Sequence, residues 1–516
     1  MVDTNRQSKA VQTWFLKNIQ DNGKPYFLDK HQAQVVADQH LNTIVTARAG
    51  SGKTRTLIAK IIYLIVHDKI PPEQIIVFAF NKKACLEINQ RLSRITHNNE
   101  PIFQGIPQLA TTFHAYAYSI LKSTDIQFSI VSEQQDDRII QQILQTIESR
   151  HAAVLRNKNL TPPDLETTKQ FINRAEQNFF QDYSELSALI QQNSAESDYY
   201  ELLLLEYICK AYHKRLDALH LYNFNQLIAV ATSLIEHITT EYQYILIDEY
   251  QDFSKLFLEL TYALRKTCPT SHLLVVGDDW QAINRFAGSD VKYFQNFSKY
   301  FPKDSARLFI PSNYRSGKSI VKNANYFMSR ALRDYQGCNT KSRLKGEIYH
   351  CGISDVVLPH QRSNLPLLAR QYLFAIQKII QDNPNKSIKI LHRNNNLGCA
   401  DYSLQSFCKL ITTQLTQQTD LTYSTIHRSK GLEADIVILL EIDAGKFPSS
   451  NNRSTPCRIF GDTPSNLFAD ECRLFYVAIT RAKEKLYILS KKSTHSQNND
   501  KPDFLNYLNH QFLHWL

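Results

Sequence analysis

The chain is poor in several features that mark whole classes of protein. Its nine cysteines are scattered through 516 residues and never form a C-x-x-C pair, so the sequence predicts neither a disulfide framework nor a zinc ribbon, and reduced thiols in the cytosol are expected. The first residues lack the apolar segment of a signal peptide, and the longest apolar runs are short and closely flanked by charge. We therefore expect a cytoplasmic protein with no membrane partner.

Glycine is also scarce, with 14 residues in the whole chain. Five of them fall inside three short stretches that also collect charged and polar residues, and they are Gly50, Gly52, Gly277, Gly288 and Gly431. Because glycine permits backbone conformations and close approaches that other residues disfavour, this placement predicts phosphate loops and tight turns.

The composition that remains is that of a folded protein of more than one domain. With 43% apolar and 21% charged residues, the chain can bury two or more cores. The formal net charge of +10 favours a polyanionic partner, although charge alone does not establish one.

The early part of the chain has the pattern of a βαβ unit. An apolar run at 43–47 precedes a glycine-containing loop and a helical pattern, and a second strand-like run follows at 75–80. Two later runs, YILI at 244–247 and LLVV at 273–276, end in acidic residues. Ligands of parallel sheets bind at the carboxyl ends of the strands, so these acidic residues are candidates for a site.

The middle and the end of the chain differ in pattern. Between Tyr116 and about Leu221 the apolar residues follow a helical period, with a capping box predicted from Ser132 to Gln135. A second α/β segment begins near Leu308, and its candidate strands are at 388–391, 436–440 and 485–489.

A phosphate-binding loop is predicted at Ala47-Arg48-Ala49-Gly50-Ser51-Gly52-Lys53-Thr54. The glycines let backbone N–H groups close on the phosphates, Lys53 is expected to reach the β and γ phosphates, and Thr54 is expected to ligate Mg²⁺. Ala47 stands where the general pattern has glycine, and the adjacent Arg55 is included in the predicted nucleotide site. A glycine-rich turn without a ligand is the alternative.

Asp248 and Glu249 follow the YILI strand. In a chain with a phosphate loop, Asp248 is expected to organise Mg²⁺ and Glu249 to activate the attacking water. A solvated strand end is the alternative.

Seven more segments fall in a recognisable order along the chain. They are LDKHQ at 28–32, AFNKKA at 79–84, TFH at 112–114, VGDDWQAINRFAG at 276–288, NYRS at 313–316, TIHRSKGLEAD at 425–435 and LFYVAITRA at 474–482. Together with the phosphate loop and DEYQD at 248–252, they resemble the motifs of the UvrD/Rep group of superfamily 1 helicases. The Asp-Asp-Trp-Gln order and the Glu-Ala-Asp ending are most similar to the helicase IV branch of that group.

The resemblance implies an ATP site with Mg²⁺. Gln32 would read the adenine edge, Gln281 would sense the γ-phosphate, and Glu433 would lie near the ribose or phosphates. Arg315 and Arg481 would act as arginine fingers, because a guanidinium matches the charge of the transferring phosphoryl group. An exposed glutamine and surface salt bridges are the alternatives. The expected catalytic residues are Lys53, Asp248, Glu249, Gln281, Arg315 and Arg481.

The resemblance also implies a path for single-stranded DNA, with aromatic side chains stacking on bases of any sequence. Phe80 and Phe113 could instead be core residues. Asn284 stands where the group usually has tyrosine, so Trp280 or Phe286 would carry more of the contact. The expected DNA contacts are Phe80, Thr112, Phe113, His114, Trp280, Arg285, Phe286, Thr425 and His427.

The implied fold is α/β, with two RecA-like P-loop NTPase lobes built on parallel sheets. Residues 1–115 and 222–307 would form the first, ATP-binding lobe, 116–221 a helical insert in it, and 308–516 the second lobe with the arginine fingers. Only residues 397–424 separate the IKILHRNNN segment from Thr425, so the usual second-lobe insert is expected to be missing or vestigial.

The implied function is an ATP-dependent DNA helicase or translocase that moves 3′ to 5′ on single-stranded DNA, with ATP hydrolysed between the lobes. Expected partners are single-stranded or tailed duplex DNA, and a protein partner could activate unwinding. One alternative is an ATPase that remodels a complex such as RNA polymerase on nucleic acid without separating strands. Another is a scaffold that keeps nucleotide as a structural cofactor.

Overall fold

Two parallel β-sheets account for most of the strongly apolar runs of the chain. The computed structural model describes residues 2–179, 183–193, 198–237, 241–358, 365–398, 403–413, 420–443, 445–449, 455–491 and 503–515. The chain divides into two compact units. The first unit comprises Met1–Thr46, Lys53–Phe309 and Asn452–Thr463, and the second comprises Ala47–Gly52, Ile310–Asn451 and Pro464–Leu516.

The sheet of the first unit has six strands. Their order across the sheet is Ser305–Ile310, Asn42–Ala47, His272–Gly277, Tyr244–Ile247, Ile75–Phe78 and Ala110–Thr111. The four inner strands run parallel, with Ile245 opposite both Leu273 and Ile76. Every residue of Asn42–Ala47 and Ile75–Phe78 is buried, which explains why neither strand alternates between apolar and charged residues.

Helices cover this sheet and form its core with it. Phe78, Phe113, Tyr250 and Phe253 are among the buried residues that the helices and strands share. A four-stranded sheet of Ile19–Asp21, Lys24–Pro25, Ile95–His97 and Glu100–Pro101 lies beside them. The α-helices are Val2–Asn18, Lys30–Ala37, Lys53–Ile62, Lys82–Leu92, Phe113–Lys122, Phe224–Leu234, Lys255–Thr267, Lys292–Gln295 and Phe297–Tyr300.

A helical region interrupts the first unit between two short paired strands, Ser129–Ile130 and Leu221–Tyr222. The predicted capping box is confirmed, since Ser132 and Gln135 exchange side-chain and backbone hydrogen bonds. This region has its own core, which contains Phe171. Its helices are Glu133–Arg150, Ala152–Asn157, Leu165–Phe179, Tyr183–Gln192 and Tyr199–Ala218.

The sheet of the second unit also has six strands, and all of its neighbouring pairs are parallel. Their order is Leu421–Thr425, Ile388–His392, Ala434–Leu439, Ala482–Ser490, Glu347–Gly352 and Leu513–Trp515. A two-stranded ribbon pairs Ser312–Asn313 with Asn339–Thr340. The helices of this unit are Lys318–Ala331, Leu367–Gln381, Leu404–Thr413 and Pro464–Ile479.

Short turns of other helix types carry several of the sequence motifs. A π-helical turn, Tyr63–His67, follows the helix after the phosphate loop. The 3₁₀ turns are Pro72–Gln74, Ile235–His237, Tyr250–Asp252, Asp279–Gln281, Arg285–Ala287, Ile353–Asp355, His427–Ser429, Thr455–Phe460, Phe504–Tyr507 and His510–Phe512.

These two parallel sheets, each with its own helices, confirm the predicted α/β class and fit two RecA-like lobes. Between the strands Ile388–His392 and Leu421–Thr425, the residues that the structure describes contain one helix, Leu404–Thr413. Of the helices in the described ranges, none combines the length and apolarity needed to cross a bilayer.

The backbone approaches itself closely at Gly346, and this contact yields a prediction about stability. Gly346 has φ +71, and a Cβ there would lie 2.9 Å from backbone atoms of Gly317, just after the 313–316 motif. Gly431 has φ +80 but nothing within 4 Å of an added Cβ. We expect Gly431→Ala to cost about 1–2 kcal/mol of backbone strain. Gly346→Ala should cost about 1–3 kcal/mol more, because it also overpacks.

Urea unfolding monitored by circular dichroism measures the difference between the two variants. Equal destabilisation by both would show that the backbone beside Gly346 yields, and that the close approach does not constrain this turn.

Candidate functional site

The phosphate loop connects the strand Asn42–Ala47 to the helix Lys53–Ile62. Gly50 and Gly52 have φ values of 71° and 82°, a region that glycine adopts easily. The Ser51 N–H donates to the Arg48 carbonyl at 3.1 Å and closes the turn. A Cβ on Gly50 would lie 2.7 Å from Cβ of Arg315, so this position has no room for a side chain. The loop therefore presents the amino end of a helix, where anions bind favourably.

The first two residues of that helix lie beside the acidic strand end. The Thr54 hydroxyl donates to Oδ2 of Asp248 at 3.2 Å, so the structure brings together the two predicted metal ligands. Asp248 is almost fully buried. Burial, and then the charge of Glu249, raises the pKa of Asp248 to about 7, while the charge of Lys53 opposes that shift.

Glu249 has a left-handed backbone, with φ 53, which is uncommon for a residue with a side chain. Its N–H donates to Oδ1 of Asp248 at 2.9 Å, and its carboxylate accepts a hydrogen bond from the Gln251 amide. Strained residues of this kind persist where surrounding contacts hold them, and they cluster at functional sites.

A series of hydrogen bonds continues from Gln251 into the 276–288 motif. The Gln251 side-chain carbonyl accepts from the Asp278 N–H at 2.8 Å, and the Gln281 amide donates to Oδ2 of Asp278 at 2.6 Å. Gly277 allows this approach, because a Cβ there would lie 2.5 Å from Oε1 of Gln251. The prediction did not include Gln251, although it lies within DEYQD; its role depends on tertiary contacts.

The two predicted arginines lie in the second unit and meet at Thr480. Nε of Arg315 donates to Oε2 of Glu433 at 2.6 Å, and Nη1 of Arg315 donates to the Thr480 carbonyl at 3.4 Å. Burial alone would raise the pKa of Glu433, but the charges of Arg315 and Lys483 outweigh burial and lower it. Arg481 is buried, and its guanidinium donates to the Val477 and Leu432 carbonyls.

Within the second unit, residues 47–52 of the loop contact two predicted motifs, at 313–316 and 474–482. The Asn313 amide donates to the Ala49 carbonyl at 2.6 Å, and the Tyr314 N–H donates to the Gly50 carbonyl at 2.8 Å. The Tyr476 hydroxyl accepts from the Ala49 N–H at 3.3 Å. Asn313, Tyr314 and Tyr476 were not predicted as site residues, and the side chain of Tyr314 is exposed.

Three predicted nucleotide contacts have other partners in the structure. Arg48 is buried and donates to the Gln336 carbonyl at 2.8 Å. The Gln32 side-chain carbonyl closes a capping box by accepting from the Asp29 N–H at 3.1 Å. The Arg55 guanidinium lies 4.0 Å from the ring centroid of Tyr26.

A groove with a volume of about 560 Å³ lies in the first unit, and it contains Phe80, Thr112 and His114 from the predicted strand contacts. The ring of His114 packs edge-on against Phe224 at 5.6 Å. Burial lowers the pKa of His114 to about 4, so the imidazole is neutral near pH 7.

The other walls of the groove come largely from residues that the sequence analysis did not identify. Phe224 is 57% exposed, and Phe80 across the same groove is 37% exposed. Lys82 and Lys169 add positive charge to the lining. Lys169 lies in the helical region between Tyr116 and Leu221, where the sequence analysis identified no site residues. At the floor, Glu176 accepts hydrogen bonds from the amides of Asn223 and Asn225 at 2.6 and 2.7 Å.

Other predicted DNA contacts are dispersed. Phe113 is a core residue stacked on Phe78 at 4.2 Å, which agrees with the alternative interpretation of that position. Trp280 is 2% exposed, so its ring offers no face to a base.

The remaining predicted DNA contacts lie on short turns. Phe286 is exposed and Arg285 is half-buried on the 3₁₀ turn Arg285–Ala287, whose last residue lines the groove. Thr425 ends a strand of the second unit and is buried, and the half-buried His427 begins the next turn.

The fold, the loop and the motif series define a class of nucleic-acid motor. A family model described as the UvrD/REP helicase N-terminal domain matches residues 28–302, and one described as the UvrD-like helicase C-terminal domain matches residues 402–493. The chain belongs to the UvrD/REP helicase family. It is an ATP-dependent DNA helicase by class.

Individual relatives are distant but cover much of the chain. DNA helicase IV of Escherichia coli (strain K12) is 27% identical over 507 residues, which is 91% of this chain and 69% of that protein. A probable DNA helicase of Mycoplasma pneumoniae is 26% identical over 89% of this chain and 82% of its own length. ATP-dependent DNA helicase PcrA of Staphylococcus aureus is 26% identical over 58% of this chain and 39% of its own length.

The raised pKa of Asp248 predicts how stability depends on pH. A carboxyl whose pKa is higher in the folded state stabilises the fold below its ordinary pKa, and this stabilisation is lost as pH rises through about 7. Asp248→Asn should therefore raise the thermal unfolding midpoint of the nucleotide-free protein more at about pH 8 than at about pH 5.

Asp435→Asn is the matched control for this pH dependence. Burial alone would raise the pKa of Asp435, but hydrogen bonds from Ser387 outweigh it and lower the pKa. The stabilisation from Asp435 is therefore fully present at both pH values, and this substitution should lower the midpoint by a similar amount at about pH 5 and about pH 8. If both variants showed the same pH dependence, the pKa of Asp248 would not be raised by its burial.

Proposed function

We propose that the chain is a motor that moves 3′ to 5′ along single-stranded DNA and separates duplex strands, driven by hydrolysis of ATP with Mg²⁺. The observation that carries most weight is the hydrogen-bonded series Glu249, Gln251, Asp278 and Gln281. It links the acidic strand end to the 276–288 motif. Ala287 of that motif lines the DNA groove, so the series connects the two candidate sites. The 3′ to 5′ direction rests on the family resemblance.

The nucleotide half of the proposal uses the phosphate loop. Lys53 would contact the terminal phosphates, and the Thr54 hydroxyl and Asp248 carboxylate would hold Mg²⁺, since this cation prefers oxygen ligands and near-octahedral geometry with water and phosphate. The 3.2 Å separation of these two oxygens fits ligands of one ion. Mg²⁺ would supply neutralisation of phosphate charge, as it does in other P-loop enzymes.

Glu249 is the proposed general base for the attacking water. The Gln251 amide holds its carboxylate in place. A base must lie within hydrogen-bond reach of the proton that it removes, so a fixed carboxylate next to the metal ligand suits this role.

Arg315 and Arg481 are the proposed cationic groups for the transferring phosphoryl group. Glu433 holds the Arg315 guanidinium, and backbone carbonyls hold that of Arg481, so both are oriented in advance. Preorganised positive charge is the main catalytic contribution that a protein makes to phosphoryl transfer.

The DNA half of the proposal uses the groove of the first unit. Phe80 and Phe224 would stack on bases, and Lys82 and Lys169 would contact phosphates. Arg285, Phe286, Thr425 and His427 stay proposed contacts. We infer that the enzyme acts in the cytoplasm, where a protein partner could activate unwinding.

The direct test is steady-state ATPase activity with and without single-stranded DNA, together with unwinding of duplexes that carry either a 3′ or a 5′ tail. We expect stimulation by DNA and opening from the 3′ tail alone. Lys53→Ala should lower kcat by at least about 100-fold, because the variant lacks the positive charge that would contact the phosphates.

The other outcomes lead to different conclusions. Stimulation without opening would indicate a translocase or a remodeller of protein–nucleic acid complexes. Absence of stimulation by DNA would contradict the proposal.

The two exposed aromatics of the groove give a separate prediction. Phe80→Ala and Phe224→Ala should each weaken binding of a single-stranded oligonucleotide by about 1–3 kcal/mol, the usual loss for one stacked base. Fluorescence anisotropy measures the Kd. Tyr335→Ala is the control, because Tyr335 is 78% exposed and does not line the groove. An equal change in the Kd for all three variants would remove the groove from the DNA path.

A further inference from the structure

The helix Leu165–Phe179 uses two opposite faces. Lys169, Asn173 and Glu176 line the DNA groove, and their spacing places them on one face of the helix. Phe171 and Arg174 lie roughly opposite, at the positions that 3.6 residues per turn assign to the other side. The same helix therefore contacts the groove on one face and another segment of the chain on the opposite face.

The segment that packs behind it comes from far along the chain. We call residues 458–463 the strap. The strap belongs to the first unit, although the residues before 452 and after 463 belong to the second. Its Phe460 is buried in the core of the helical insert, with its ring 5.1 Å from that of Phe171. The Phe460 carbonyl accepts a hydrogen bond from Arg174 at 3.1 Å.

A buried ion pair fixes the strap in one position. Nη1 and Nη2 of Arg174 donate to the two carboxylate oxygens of Asp462 at 3.2 and 3.1 Å. The two side chains are only 4% and 3% exposed. A buried pair is weak support for stability, because desolvation offsets much of the attraction, but its bidentate geometry is directional. The pair therefore contributes more to the position of the strap than to the stability of the fold.

The strap leads directly into an element of the ATP site. The helix Pro464–Ile479 begins two residues after Asp462 and ends two residues before Arg481. Tyr476 of this helix accepts the hydrogen bond from the Ala49 N–H of the phosphate loop. A displacement of the strap would therefore act on the start of the helix that positions Tyr476 and Arg481.

We propose that the strap couples DNA in the groove to ATP hydrolysis, with Arg174 and Asp462 as positioning residues. DNA that contacts Lys169, Asn173 or Glu176 displaces the helix Leu165–Phe179, and the anchored strap passes that displacement to the helix Pro464–Ile479. This inference rests on the proposed function. It adds a second connection between the two sites, separate from the series through Gln251.

The sharpest test lengthens the link and leaves the anchor intact. Two glycines inserted between Thr463 and Pro464 should keep the contacts of Phe460 and Asp462 but lengthen the link, so that a displacement of the strap no longer reaches the helix Pro464–Ile479. DNA affinity and ATPase activity without DNA should stay within about twofold of wild type, as for surface changes away from a site. Stimulation of kcat by single-stranded DNA should fall about tenfold, a usual size for coupling between sites.

Two controls separate coupling from damage to the fold. The same two glycines inserted after Gly105, an exposed glycine with nothing within 4 Å of an added Cβ, should leave stimulation unchanged. Leu186→Ala disturbs the same insert core but leaves the strap and its ion pair unchanged in sequence, and it should lower the thermal midpoint while stimulation persists. Asp462→Asn, which removes one charge of the pair, should reproduce the loss of stimulation.

Each result decides the proposal. If the strap insertion leaves stimulation intact, or if it also abolishes activity without DNA, the coupling role is wrong. Loss of stimulation in either control would likewise contradict it. A wild-type enzyme that DNA does not stimulate would overturn the proposed function itself, which is a distinct outcome.

Discussion

One amide side chain sets the geometry on which the candidate ATP site depends. Asn313 is buried, its amide N–H donates to the Ala49 carbonyl, and its carbonyl accepts the N–H groups of Arg315 and Ser316 at 2.9 Å. A side-chain amide carries a donor and an acceptor side by side, so one asparagine can bond to both segments. Leaving a buried polar group without a hydrogen bond costs free energy, so these contacts hold the two segments in fixed positions. The phosphate loop and the arginine segment therefore share one frame.

Two residues of the same site are held in arrangements that lower the stability of the fold. Asp248 is buried beside a second carboxylate, and Glu249 holds a left-handed backbone conformation that its side chain disfavours. Neither arrangement would arise from packing alone, because burial disfavours charge and L residues avoid this region of φ. Both residues lie at the end of a parallel strand, where Asp248 contacts Thr54. A cation bound by Asp248 would relieve the cost of burying its charge, and the strained backbone of Glu249 lies next to it.

Sequence patterns predicted what is local and failed where a contact joins distant segments. The phosphate loop, the acidic strand end and the capping box at Ser132 depend on neighbours within a few residues, so spacing and residue type indicated them. Trp280 lies in a motif of the expected order, yet its ring is buried, because a motif does not specify which way a side chain faces. Gln251 and Phe224 acquire their surroundings only after the sheet and insert are assembled. Nothing in residues 458–463 indicated a buried ion pair, since its partner lies almost three hundred positions earlier.

The two paired strands at the base of the insert have a consequence for how such a protein can change over evolution. The chain enters at Ser129–Ile130 and leaves at the adjacent Leu221–Tyr222, so the two ends of the insert lie side by side. Regions attached in this way are commonly exchanged, shortened or lengthened without loss of the parent fold. Here that freedom is restricted, because Phe460 and Asp462 come from outside the insert and complete its interior. A lineage that replaced this region would have to replace a distant loop at the same time, so the two stretches should be inherited together.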